Sequence, residues 1–200
     1  MKNNLILLIL FLSSSLLSQN ILFENNSSGF HLAGQISSNN GSTLIGISPG
    51  FTSNGKLTIG VTLGLEENDN LEGSSTAIKP YLSYLVMKQG NDNPISVALN
   101  ASFQHNTFSE YDDLSANTVG LGAGLFHQIK AGKNFDIIPG AGVGWGRRTV
   151  KIFESSESDS AISYGLNVTA KIKKFYVTPS LTFSEGNSHF DLIFGIIFPN

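Results

Sequence analysis

The stretch "PGAGVGWGRR", Pro139 to Arg148, carries glycine at every second position: Gly140, Gly142, Gly144 and Gly146. A dinucleotide-binding loop needs glycine at its first, third and sixth positions. Counting from Gly140, the sixth position is Trp145, so that motif is absent. A strict period of two is the period of a β-strand, whose side chains alternate between faces. The second face then reads Phe135, Ile137, Pro139, Ala141, Val143 and Trp145. The fold must therefore accommodate a strand that is all glycine on one face and all apolar on the other.

The same alternation recurs in ten segments. They are residues 30–37, 43–52, 56–66, 77–87, 95–105, 117–129, 134–150, 160–172, 175–184 and 189–198. In the third, Leu57, Ile59, Val61, Leu63 and Leu65 alternate with Thr58, Gly60, Thr62 and Gly64. Turn signals such as "NNG" and "SNG" separate them, and no helical period appears after the N-terminus. No change in composition divides the chain, so one domain is expected.

A soluble β-sandwich or barrel hides its apolar face and shows water a face rich in Lys, Glu and Asp. Here the polar face is Gly, Ser, Thr, Asn and Gln, and charged residues are only 14% of the chain. Small neutral groups suit a confined interior. An apolar phase almost free of charge suits a lipid-facing wall, where every backbone group must be paired within a closed sheet. Segments of about ten residues match a tilted membrane crossing. The expected fold is all-β: an antiparallel, up-and-down transmembrane β-barrel of ten strands, with eight as the alternative count. An exported soluble β-barrel that binds a small apolar ligand is the competing reading.

Phe135 and Trp145 share the outward phase ten residues apart, roughly 25 Å along the membrane normal for a tilted strand. With Phe198 they are the expected aromatic girdle, at the levels where interfacial aromatics belong.

The first residues, "MKNNLILLILFLSSSLLSQN", combine Lys2, an apolar run from Leu5 to Leu12 and a small-residue stretch to Ser18. This is the pattern of a secretory signal peptide. Residues 1–19 are expected to be removed, with cleavage near Ser18 or Gln19, leaving the barrel domain at 20–200. The chain has no cysteine, which excludes disulfides, thiolate metal sites and a cysteine nucleophile. A net charge of −3 argues against nucleic acid as a partner.

With the N-terminus on the periplasmic side, the internal connections are short: "SNG", "KQGNDN", "KAGK" and "KK". The external ones are mostly longer: "EENDNLEGSS", "HNTFSEYDDLS" and "FESSESDS". This asymmetry is typical of outer-membrane barrels. Glu66, Glu67, Asp69, Glu72, Glu110, Asp112, Asp113, Glu154, Glu157, Asp159 and Glu185 fall in the external segments, and Lys56, Lys88, Lys130, Lys133, Lys173 and Lys174 at internal turns. The acidic loops serve solubility or attract divalent cations, but none has the ligand spacing of a defined site.

The phrases "ISPGF", "IKPYLSY", "IIPGAGVGWG", "VTPSLTF" and the closing "HFDLIFGIIFPN" resemble the small outer-membrane β-barrel proteins common in Bacteroidota, the porin-like or OmpA/OmpX-like barrels. Aromatics alternating toward Phe198 are similar to the assembly signal of such barrels, although Pro199 and Asn200 follow it. The resemblance covers nearly all of the mature chain. It implies an outer-membrane location, a structural or porin-like role, contact with outer-membrane lipid and lipopolysaccharide, and insertion by the barrel-assembly machinery. It implies no catalytic residue and no cofactor.

An outer-membrane lipid-modifying enzyme remains the alternative class. His31, His105, His127 and His189 do not fall into a Ser/Asp/His cluster within one strand or hairpin, so no catalytic, cofactor or metal residue is assigned. The candidate lumen residues are Lys79, Tyr81, Lys171, Tyr176 and Asp191, with Phe126 beside them. They either fill space opposite the glycines or line a narrow path. Arg147 and Lys151 share the outward phase above Trp145, in reach of lipopolysaccharide phosphate. Pro49, Pro80, Pro139 and Pro179 also lie in the outward phase, where bulges or strand ends are expected.

Overall fold

The computed structural model describes residues 22–23, 26–39, 41–68, 73–185 and 187–200. The expected signal peptide, and Asp69 and Glu72 of the third connection, lie outside them. The strands are β1 (Gly29–Asn39), β2 (Ser42–Ser53), β3 (Leu57–Asn68), β4 (Ser74–Met87), β5 (Ser96–Phe108), β6 (Tyr111–Phe126), β7 (Ile129–Gly132), β8 (Phe135–Ile152), β9 (Ser155–Ile172), β10 (Phe175–Ser184) and β11 (Asn187–Pro199). All pairings are antiparallel between neighbours in the wall.

β6 and β7 occupy one position in the wall, because both pair with β8. The ladder breaks only at His127 and Gln128, where the His127 amide donates to the Pro139 carbonyl at 3.0 Å. β1 pairs with β11 from Gly29↔Pro199 to Asn39↔His189 and closes the ring. The result is a closed antiparallel barrel of ten staves. Closure leaves no stave with an unpaired edge over its shared length, which is what a sheet in lipid requires.

The barrel is inside out relative to a soluble protein. Ile45, Leu65 and Tyr164 on the outer face are 62%, 61% and 61% exposed, while Thr52, Thr58 and Asp191 on the inner face are fully buried. Alternation places each group, since neighbouring residues point to opposite sides of the wall.

Two external connections differ from expectation. "HNTFSEYDDLS" and "FESSESDS" are not loops; β5 and β6 run on to a turn at Ser109–Glu110, and β8 and β9 to one at Phe153–Glu154. The ladder holds there, with Val150 opposite Glu157 and the Thr149 and Ser158 hydroxyls 2.8 Å apart. These hairpin tips carry no apolar phase, so hydrophobic alternation could not reveal them.

The prolines also correct an expectation. Register is unbroken across Pro49, Pro80 and Pro179, and the bulges lie elsewhere, at Leu85/Met87, Thr107/Phe108 and Lys130/Gly132. Each proline instead interrupts one ladder locally, because it has no N–H to give. The interrupted ladders are β2–β3, β4–β5, β6/β7–β8 and β9–β10. These are the four internal hairpins, so each carries one proline. On the inner side of two gaps, hydroxyl pairs bridge the strands: Ser48 with Thr62 at 3.1 Å, and Thr169 with Thr178 at 2.8 Å. Pro139 too lies within its strand and in unbroken register, and it is the facing stave that breaks, between β6 and β7.

Candidate functional site

The interior of the barrel is where the sequence places unusual chemistry, and three layers fill it. The middle layer depends on glycine. His31, Gly50, Gly60 and Tyr81 stand directly opposite one another on β1, β2, β3 and β4. A Cβ at Gly50 would lie 2.4 Å from the His31 ring, and one at Gly60 2.3 Å from the Tyr81 hydroxyl. The two rings therefore lie over the glycines and meet, with 2.9 Å between His31 Nε2 and the Tyr81 hydroxyl. Ser48 donates to the same hydroxyl at 3.3 Å. Tyr176 lies over Gly195 in the same way, and Phe126 and Asn167 both lie over Gly140. The alternating glycines of the wall make room for large groups of adjacent strands.

Toward the external end, Asp191 is completely buried. One carboxylate oxygen accepts from Gln35 Nε2 at 3.1 Å, from His189 Nε2 at 2.9 Å and from the Ser37 hydroxyl. The other accepts from Ser180 at 3.4 Å. The buried Lys79 lies within electrostatic reach of Asp191. A second network surrounds Glu66, which accepts from Ser42 at 3.2 Å, Ser75 at 3.5 Å and Asn106 at 2.8 Å, with the Arg148 charge nearby.

The internal end is apolar. Leu22, Phe23, Leu85, Ala98, Phe126, Ile138, Tyr176, Ile193 and Ile197 belong to one buried cluster that includes Ala33. Leu22 and Phe23 precede the first strand and belong to no ladder. Lys171 Nζ donates to the Leu22 carbonyl at 2.9 Å, and Lys88 Nζ donates to that of Phe23.

Of the residues singled out from sequence, Lys79, Tyr81, Tyr176 and Asp191 lie inside the barrel, and Lys171 lies at its internal mouth. Trp145 and Phe198 face outward at 42% and 45% exposure, while Phe135 is half-buried at the internal end of β8 opposite Gly132 and Ile172. Arg147 and Lys151 are exposed. Two assignments change. Glu66, placed in an outer loop from sequence, points into the interior. Ser37, His189 and Asp191 do come together, although the histidines looked scattered; β1 and β11 are neighbours only through barrel closure.

This trio is wired unlike a hydrolase site. A nucleophile must give its proton to the histidine, whereas Ser37 donates to Asp191, which separates it from His189. Among the described residues, no group of three His, Cys, Asp or Glu side chains could hold a metal. Reading by phase alone would have found Arg148 and His31, since each shares the inward phase of its strand.

No family model matches the sequence, and no curated protein matches it significantly. Solved structures do match. The β-domain of the Bordetella autotransporter BrkA aligns over 88% of this chain and 100% of its own, with 11% identity and a TM-score of 0.54. Ail, the attachment invasion locus protein of Yersinia pestis, aligns over 88% of this chain and 100% of its own at 14% identity and a TM-score of 0.42. The N-terminal β-barrel domain of Pseudomonas aeruginosa OprF gives 87%, 98%, 13% and 0.40 for the same quantities. The likeness to the BrkA domain concerns the fold alone, a closed antiparallel β-barrel.

Proposed function

We propose that this protein is a bacterial outer-membrane β-barrel with a structural or porin-like role, a narrow, occluded lumen and no enzymatic activity. The observation that carries this reading is the inverted wall: exposed apolar side chains such as Phe30, Leu63, Leu99, Leu121, Leu166, Phe175 and Phe194 outside, and hydrogen-bonded polar groups inside. In water, that outer surface would form an apolar patch far larger than a soluble monomer carries. In a bilayer it is the required lipid contact.

The finer parts of the proposal rest on sequence. Residues 1–19 direct export and are cleaved. Phe135, Trp145 and Phe198 form the interfacial girdle. Lys79, Tyr81, Lys171, Tyr176 and Asp191 set the constriction. Arg147 and Lys151 meet lipopolysaccharide, and the C-terminal aromatics engage the assembly machinery. The Bacteroidota affinity rests on the strand phrases alone.

Fractionation tests the reading. The protein should sediment with outer membranes, resist carbonate extraction and migrate differently on gels before and after boiling. Recovery in the soluble periplasmic fraction would overturn it in favour of a soluble carrier.

A further inference from the structure

The rings over Gly50, Gly60 and Gly195 come from nearby staves, and one region of the inner wall has no such neighbours. On β5, β6, β8 and β9, Asn100 stands opposite Gly122, Gly122 opposite Gly144, and Gly144 opposite Ser163. The next inner row on the external side reads Ser102, Gly120, Gly146, Ala161, and on the internal side Ala98, Gly124, Gly142, Gly165. Inner positions recur about 6.6 Å apart along a strand and staves about 4.8 Å apart, so this bare field measures roughly 13 Å by 14 Å. Beyond its own chain neighbours, a Cβ at Gly120 would meet nothing within 4 Å but the Ser102 hydroxyl. The same staves close the field at both ends, with Gln104 and Arg148 buried on the external side and Phe126 and Ile138 on the internal side.

Two asparagine amides border the field. Asn100 Nδ2 and Oδ1 and Asn167 Oδ1 are buried and have no hydrogen-bond partner among the described residues. Asn167 is 6% exposed, and its Oδ1 reaches over Gly140, the inner position next to Gly142. Buried polar atoms of this kind nearly always have a partner. The three rows hold no charged side chain. Asn100 presents a donor and an acceptor side by side, and a hydroxyl is the neutral group that answers both.

We propose that this closed field is a binding chamber for a small neutral hydroxyl guest, ordered water or a short polyol, whose O–H groups donate to Asn100 Oδ1 and Asn167 Oδ1 and accept from Asn100 Nδ2. The interior is then two-sided. His31, Tyr81 and Tyr176 fill it from β1, β4 and β10, and the guest fills it over the glycines of β6 and β8. This goes beyond an occluded lumen by naming what occupies its middle, and it holds for the folded ring whatever surrounds the wall.

Nuclear Overhauser spectra of the isotope-labelled barrel, refolded in nanodiscs, test the guest without and then with added glycerol. The Asn100 side-chain amide should show a contact to water, or to the carbon-bound protons of glycerol. A water contact that persists in glycerol identifies water, and one replaced by glycerol identifies the polyol. The Gln35 amide is the control, since it is also buried but donates to Ser37 and Asp191, and it should show neither contact. An Asn100 amide as silent as that of Gln35 would overturn the site. The second measurement needs no guest. Gly144 has no positive φ, so Gly144→Val places a side chain in the field without backbone strain. Its urea midpoint should stay within about 0.3 M of the parent, and the Asn100 contact should weaken as the guest is displaced. A Gly144→Val barrel that does not fold, or that loses as much stability as Gly60→Val, would show that the field is already filled and would overturn the chamber. Failure of the membrane reading would appear instead in fractionation, independently of both measurements.

Discussion

His31 Nε2 and the Tyr81 hydroxyl are 2.9 Å apart, although β2 and β3 stand between their strands. The contact exists because the two intervening positions in the row are Gly50 and Gly60. Any side chain there would occupy the space through which the rings approach. The row makes four consecutive staves interdependent through their inner face as well as their ladders.

Gly60→Val should therefore destabilise the barrel by about 1–3 kcal/mol, the usual cost of overpacking. Its Cβ would meet the Tyr81 hydroxyl at 2.3 Å and the Pro49 carbonyl at 2.8 Å, and the latter cannot swing away. Gly90→Ala, with nothing within 4 Å, is the control and should be neutral. Urea unfolding of both variants in liposomes measures the difference.

Asp191→Ala removes the acceptor of Ser37, Gln35, Ser180 and His189 and a buried charge within electrostatic reach of Lys79. Each buried donor left without its acceptor costs about 1–3 kcal/mol. The double variant Asp191→Ala/Lys79→Met should cost less than the sum of its single changes. A double-mutant cycle in the same unfolding assay measures this, and strict additivity would mean that the two charges do not interact.

Single-channel recordings on the refolded protein should show small currents at most. Ten staves enclose little more than side chains can fill, and open pores typically have sixteen or more. Replacing Tyr81 and Tyr176 together by Ala should raise the current by emptying the space over Gly60 and Gly195. Large, steady currents in the parent would contradict an occluded lumen.

Cysteines at Asp113 and Glu157 should react with an impermeant thiol reagent on intact cells, and cysteines at Asn54 and Gly132 should not. The first pair lies at the hairpin tips of β6 and β9, the second at internal turns. Reversed labelling would invert the barrel in the membrane.

Most of the wall was legible because an apolar outer face and a polar, confined interior write a period of two into every stave. Phe175–Ser184 is recovered to the residue, and most other strand ends to within a few residues. Lys79 and Asp191 were readable as interior residues from phase alone. That their charges act on each other was not, since β1, β2 and β3 stand between β4 and β11 in the wall. Glu66 was misplaced because it follows the last apolar residue of its strand, at which point alternation stops carrying information. Leu22 and Phe23 could not be recognised as packed against the barrel, since they follow the apolar N-terminal stretch and carry no period of their own.

The prolines have a mechanical consequence. Hydrogen-bonded ladders give a tube its hoop stiffness, and four of the ten seams are each interrupted once by a proline, always within a hairpin that turns at the internal end. The seams of the external hairpins carry no such proline gap, and the β8–β9 ladder runs from Phe135↔Ile172 to Ile152↔Ser155 unbroken. Such a tube yields along some seams and holds along others. Amide exchange should follow that pattern, slowest along the unbroken β8–β9 and β1–β11 ladders and faster beside Pro49, Pro80, Pro139 and Pro179.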